Sequence, residues 1–218
     1  MPRSHALGRW ELLADGAVHV GGVSAVLVGA FLLIALAVQT GTPATLIAAV
    51  VYCFGAAAMF GCSAAYSLFD WCRHGGLLRR FDHAAIFAMI AGSYTPFTLL
   101  KIGHHGWSIG ITIAVWATAA IGIGFKLAWA MRSWVASIAF YLALGWLPLV
   151  AVIPLITAVE PVTLVMLLVG GVLYTIGVAF FAWKRLPFRR AIWHGFVLVA
   201  ACFQYAAVAS VVGGDSSG

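Results

Sequence analysis

The chain has 218 residues, 64% of them hydrophobic and only 8% charged, and its mean hydropathy is +1.06. Soluble globular domains are about a quarter charged and about half apolar, so that class is excluded. A net charge of +6 would point to a nucleic-acid partner in a soluble protein, but in so apolar a chain the basic residues are topology signals, and nucleic acid is not an expected partner.

Taken along the chain, apolar runs separated by Gly, Pro and charged clusters predict seven membrane helices. They cover about 18–39, 44–68, 82–100, 107–128, 133–153, 162–183 and 191–212, each near the roughly 20 residues that a span requires. Strands are not expected, because a lone strand cannot satisfy its backbone in lipid and the runs lack the alternation of a barrel. The linkers are short and none carries a soluble domain, so the expected fold is all-α: a single polytopic domain over residues 1–218. Glu11 and Asp15 precede the first apolar run, which continues from Val20 to about Val38. Both features disfavour a cleaved signal peptide, whose apolar core is about 7–15 residues. Cys53, Cys62, Cys72 and Cys202 show no CxxC spacing, so neither a disulfide framework nor a zinc ribbon is expected. Pro96 and Pro148 should kink spans three and five. Gly170, Gly171 and Gly177 should permit close packing, and Gln204 and Tyr205 should link helices.

Charge sets the expected orientation. Arg3, Arg9, Arg73, Arg79, Arg80, Lys126, Arg132, Lys184, Arg185, Arg189 and Arg190 fall on one side of the predicted topology, and only Lys101 falls on the other. That asymmetry predicts a cytoplasmic N-terminus and an outside C-terminus, and a missed span would reverse it midway.

Ionisable side chains in or beside spans are costly, so each calls for a partner or a role. Glu11, Asp15 and His19 follow one another at intervals of four and line one face of the helix leading into span one. Span two ends with Ser63, Ser67 and Asp70. Span three opens with Asp82 and His83, and span seven with Arg190 and His194, again four apart. In the expected topology four helix ends bring carboxylates, imidazoles and hydroxyls to one cytoplasmic level, whereas the opposite ends carry almost none. Helix ends are also where polar groups cost least, and an acid near a helix N-terminus can simply favour the dipole.

Glu11-x3-Asp15-x3-His19, Ser63-x3-Ser67, the stretch from Arg79 through Asp82-His83 to Tyr94-Thr95-Pro96-Phe97, and Ile192-Trp193-His194 resemble the hemolysin III family, which belongs with the progestin and adipoQ receptors and more distantly with alkaline ceramidases. The resemblance covers nearly the whole chain and implies a cytoplasm-facing polar cavity. In the better understood relatives it further implies a zinc ion held by one histidine at the end of span two and two histidines at the start of span seven. A span-three aspartate there holds the metal-bound water, and a span-two serine stabilises oxyanion charge. Carried over, the span-two ligand position is Ser67 and the first span-seven position is Arg190; only His194 remains, with Asp82 and Ser63 at their motif positions. An arginine cannot shed its proton to ligate a metal. The expected zinc site is therefore absent, or rebuilt for another divalent metal from His19, Asp15, His83 or Asp82 beside His194.

Three functions follow as expectations. One is a non-catalytic membrane sensor or lipid-homeostasis protein, with membrane lipids as partners, an Asp82–Arg190 ion pair linking spans three and seven, and His194 titrating near neutral pH. The second is a metal-dependent hydrolase of lipid amides, with Asp82 positioning water and Ser63 donating to the oxyanion. The third, a cytolytic pore, lacks a long amphipathic segment to support it. A retinal protein would need a lysine in 191–212, which contains none, and a transporter would carry charges at mid-bilayer.

Overall fold

The structure is a computed structural model and describes residues 8–69, 74–101, 107–129, 133–147 and 152–214. Every regular element among them is helical: α1 (Arg9–Thr40), α2 (Pro43–Phe69), α3 (Gly75–Pro96), α4 (Trp107–Trp129), α5 (Trp134–Gly145), α6 (Val152–Ala158), α7 (Pro161–Ala182) and α8 (Arg189–Gly214). A π-helical turn, Phe97–Lys101, continues α3. Among the described residues six helices are long and apolar enough to cross a membrane: α1, α2, α3 with its π turn, α4, α7 and α8. The predicted fifth span, 133–153, corresponds to the 12-residue α5 and the start of the seven-residue α6, and residues 148–151 between them, Pro148 included, lie outside the described residues. Asp70 of the span-two end also lies outside them.

Two helices begin earlier than their apolar runs. α1 starts at Arg9, so Glu11 and Asp15 are already helical, and it stops at Gly41, whose φ of 73° is the left-handed conformation that closes a helix at low cost. α3 starts at Gly75, which puts Asp82 two turns inside the helix rather than at its N-terminus. The helix dipole therefore does not account for Asp82, contrary to the simplest reading of its position; its surroundings must. The reason for both differences is that a membrane helix continues past the hydrocarbon boundary, where polar residues no longer oppose it. At the other end of α3, Pro96 has no N–H for the backbone ladder. The helix gives way there to the π turn, while Thr95 Oγ1 donates to Ala91 O at 3.1 Å and Thr98 Oγ1 to Tyr94 O at 3.2 Å.

Side-chain pairs fix the helix directions. α2 and α3 run antiparallel, with Gly55 so close that a Cβ there would meet the Ala88 carbonyl oxygen at 2.8 Å. α3 and α4 are also antiparallel: Arg80 Nη1 donates to Leu127 O at 3.2 Å, and Trp116 Nε1 to Thr95 Oγ1 at 3.1 Å. α7 and α8 are antiparallel, joined by Thr163 and Ser210 hydroxyls 2.8 Å apart and by Gly177 seated against Phe196. α1 and α8 are instead parallel, since Asp15 meets His194, Gly29 O accepts from Tyr205 Oη at 3.0 Å, and Leu36 lies beside Gly213. Gln204 Nε2 reaches Leu167 O at 3.5 Å, so Gln204 and Tyr205 do link helices. One core, with Leu33, Tyr52, Phe60, Met89 and Val208, joins α1, α2, α3 and α8; a second, with Phe87, Val115, Ala119 and Leu144, joins α3, α4 and α5. The outer faces expose Leu27, Phe31, Ile113 and Val165, as lipid-facing helices do.

Candidate functional site

The starts of α1, α3 and α8 and the end of α2 meet at one end of the bundle, and Asp15 lies at their centre. Its side chain is 1% exposed, and two neighbouring helices supply its partners. His194 Nδ1 of α8 is 2.6 Å from Oδ1, the Ser67 hydroxyl of α2 donates to Oδ2, and Arg190 Nε lies 3.6 Å from Oδ2. The two α8 partners are four residues apart and so share a face, as their spacing requires. Arg190 also lies over the Tyr66 ring, 5.5 Å from its centre. A buried carboxylate without partners would be untenable in lipid; this one has both oxygens engaged.

His19 lies one turn beyond Asp15 and is equally buried. Its Nδ1 is 2.8 Å from the Asp15 backbone oxygen, which can only accept, so Nδ1 carries the proton and Nε2 presents a lone pair. The Ser63 hydroxyl stands 3.3 Å from that Nε2 and also faces the Asp82 carboxyl. The His19 and His194 rings meet edge to face, with centroids 4.3 Å apart. Ser63, Ser67, Asp15, His19, Asp82, Arg190 and His194 thus form one polar assembly. Two sequence candidates stand apart from it. Glu11 accepts from the backbone N–H groups of Gly8 and Phe188, both at 2.9 Å, and so ties the α7–α8 loop to α1. His83 is within electrostatic reach of Arg79 and of Lys126 of α4. The expected Asp82–Arg190 ion pair is replaced by Asp15–Arg190. Arg190 had two acids on neighbouring helices, and the parallel packing of α1 against α8 presents Asp15. Tyr66 was missed, although its position between Ser63 and Ser67 marked it.

The donor set does not fit the three-histidine zinc site that the resemblance implies. At the two substituted positions a neutral hydroxyl, already turned to Asp15, stands in place of one imidazole and a guanidinium brings a fixed positive charge in place of the other, so neither supplies the nitrogen ligand that zinc would take there. Asp15, His19 and His194 nevertheless offer donor atoms within 4.8 Å of one another. A cation bound there would share the Asp15 carboxylate with Ser67 and Arg190 and would compete with the Arg190 charge.

Beneath this assembly lies a cavity of about 330 Å³ between α1, α2, α3 and α8, lined almost entirely by apolar side chains. Leu198, one turn after His194, and Phe60, one turn before Ser63, form its upper wall; Tyr52, Met89 and Tyr205 lie deeper.

Comparison with known proteins identifies this architecture. The family model described as Haemolysin-III related matches residues 13–205. The chain belongs to the hemolysin III family. It is 35% identical to Hemolysin-3 of Bacillus cereus over 199 residues, 89% of each chain. It is 42% identical to the Hemolysin-3 homolog of Bacillus subtilis over 124 residues, a match that spans 56% of this chain and 57% of that relative. It is also 31% identical to the human Monocyte to macrophage differentiation factor over 176 residues, 74% of this chain and 69% of that one. A hemolysin III family chain with six long apolar helices is a multi-pass integral membrane protein, and its bacterial relatives fit an inner membrane.

Proposed function

We propose that this hemolysin III family protein is a non-catalytic membrane sensor or lipid-homeostasis protein, in which Arg190 takes the place of the metal at a cytoplasm-facing site. The observation that carries this reading is the buried Asp15 carboxylate with both oxygens engaged, His194 on one and Ser67 and Arg190 on the other. A fixed internal cation supplies the positive charge that a metal would otherwise bring, and it does so without an open coordination position. The apolar cavity below supports a membrane-lipid partner, because an acyl chain entering it would end at the polar assembly. Seven crossings with a cytoplasmic N-terminus complete the reading, supported by the parallel α1–α8 pair and by the basic residues gathered at the polar end.

A metal-dependent lipid amide hydrolase is the second reading, favoured by the proximity of the Asp15, His19 and His194 donors. In it, Asp82 and Ser63 would serve the reacting water and the oxyanion.

Metal analysis of the purified protein, together with fatty-acid release from a ceramide, separates the two. The expected result is substoichiometric metal and no turnover in the natural chain, and zinc uptake near one per chain in the Ser67→His, Arg190→His double variant. Stoichiometric metal in the natural chain, lost together with amide turnover in His194→Ala, would establish the hydrolase instead.

A further inference from the structure

The second core contains a buried cation that the polar assembly does not use. Lys126, in the last turn of α4, is 4% exposed. Its Nζ lies 2.5 Å from Ser137 Oγ of α5 and 5.6 Å from the centre of the Tyr141 ring. The Ser137 hydroxyl donates to Ser133 O at 3.0 Å, which leaves its oxygen free to accept from the lysine. An ammonium has three N–H donors, and one hydroxyl and a ring face leave its charge uncancelled. Within 4 Å of it there is no carboxylate among the described residues, where every ion pair converges on Asp15.

The groups around Lys126 add to its charge. Arg79 of α3, exposed at the rim, acts electrostatically on both Lys126 and His83. Arg80 is held beside it by its bond to Leu127 O. The α5 N-terminus, capped by Ser133 on Ala136 N–H at 3.2 Å, turns its positive dipole end to the same corner. Three helices thus direct positive charge to one place at the end of an apolar span, and among the described residues no carboxylate pairs with it. Buried charges are ordinarily paired, so an anion from outside the chain would complete this one.

We propose that the corner between α3, α4 and α5 binds a phosphate-bearing anion, with Lys126 as its floor and Arg79 at its rim. At the polar end of the bundle, that phosphate belongs to the headgroup of an anionic lipid or to a soluble phosphate.

The test is thermal unfolding of the full-length protein in zwitterionic detergent with phosphatidylglycerol, phosphatidylcholine or inorganic phosphate added, alongside native mass spectrometry of retained lipid. Phosphatidylglycerol should raise the midpoint by several degrees and phosphatidylcholine should not. Lys126→Met should abolish that rise and lower phosphatidylglycerol retention about tenfold, while leaving the unliganded midpoint unchanged or higher. Arg79→Ala, at an exposed position, should reduce the rise without depending on how residue 126 repacks. Arg189→Ala, at a side chain that lies over the Phe181 ring of α7, should retain it. Protection by inorganic phosphate alone would support the site with a soluble phosphate as its occupant; protection only by phosphatidylglycerol would support a lipid headgroup. A full rise in Lys126→Met, an equal loss in Arg189→Ala, or no protection by either anion would overturn the proposal.

Discussion

At the scale of single residues, the polar assembly is a question of which charge answers which. Removing one member of a buried ion pair leaves the other desolvated and unpaired, so Asp15→Asn should destabilise the protein through Arg190 and His194 together. The Arg190 side chain is 19% exposed, so the expected loss lies between the ~1 kcal/mol of a surface pair and the ~3–5 kcal/mol of a fully buried one. Arg190→Gln should cost a similar amount, and the double variant clearly less than the sum, as measured by unfolding in detergent. Asp82→Asn combined with Arg190→Gln should couple more weakly, because Arg190 acts on Asp82 only through its charge, whereas Ser63 hydrogen-bonds it. Strong coupling in the second pair and none in the first would reverse the assignment. The sequence already held much of this site: intervals of four put Asp15 with His19, and Arg190 with His194, on single helix faces, and all four do meet. What spacing within one helix cannot encode is the partner across the gap, so the choice between Asp15 and Asp82 became visible only once α1 lay alongside α8. His83 shows the same limit, since a helix turns by about 100° per residue, and this adjacent residue points to the Lys126 corner while Asp82 points to the assembly.

At the scale of helices, contact depends on small residues in a few places, and glycine count alone does not say which. Gly55 and Gly61 both lie in α2, yet a Cβ at Gly55 would come within 2.8 Å of the Ala88 carbonyl oxygen, whereas at Gly61 it meets nothing within 4 Å. Backbone cannot yield as a side-chain tip can, so Gly55→Ala should separate α2 from α3 and cost about 1–3 kcal/mol. Gly61→Ala should be neutral or stabilising by up to ~1 kcal/mol, from helix propensity alone. Unfolding midpoints of the two variants measured side by side check this, and equal effects would mean that the α2–α3 contact is looser than described. The ends of these helices were the least legible part of the sequence. Apolar runs mark the hydrocarbon layer, but α1 and α3 continue beyond it through Glu11–Asp15 and Gly75–Phe81, where hydropathy falls and backbone hydrogen bonding does not.

At the scale of the whole molecule, the parallel pairing of α1 with α8 constrains every connection between them. α2 is antiparallel to α3, α3 to α4 and α7 to α8. The end of α4 therefore lies at the polar end, beside Arg80, whereas the start of α7 lies at the other, where Thr163 meets Ser210. The chain between Trp129 and Pro161 has to return from one end to the other, and α5 and α6 lie on that route. Six long helices alone would leave both termini on one side, so this return decides the topology. If this stretch crosses, as proposed, the C-terminus emerges opposite the N-terminus, the outcome that the placement of the basic residues predicts. Reporter fusions in a bacterial host test this directly. Alkaline phosphatase fused after Gly214 should be active and a fluorescent protein at the same point dark, while fusions in the α4–α5 connection should give the reverse. An active phosphatase at both points, or at neither, would mean that residues 130–160 do not cross, and the cytoplasmic placement of the Asp15 assembly would have to be argued again from the N-terminus alone.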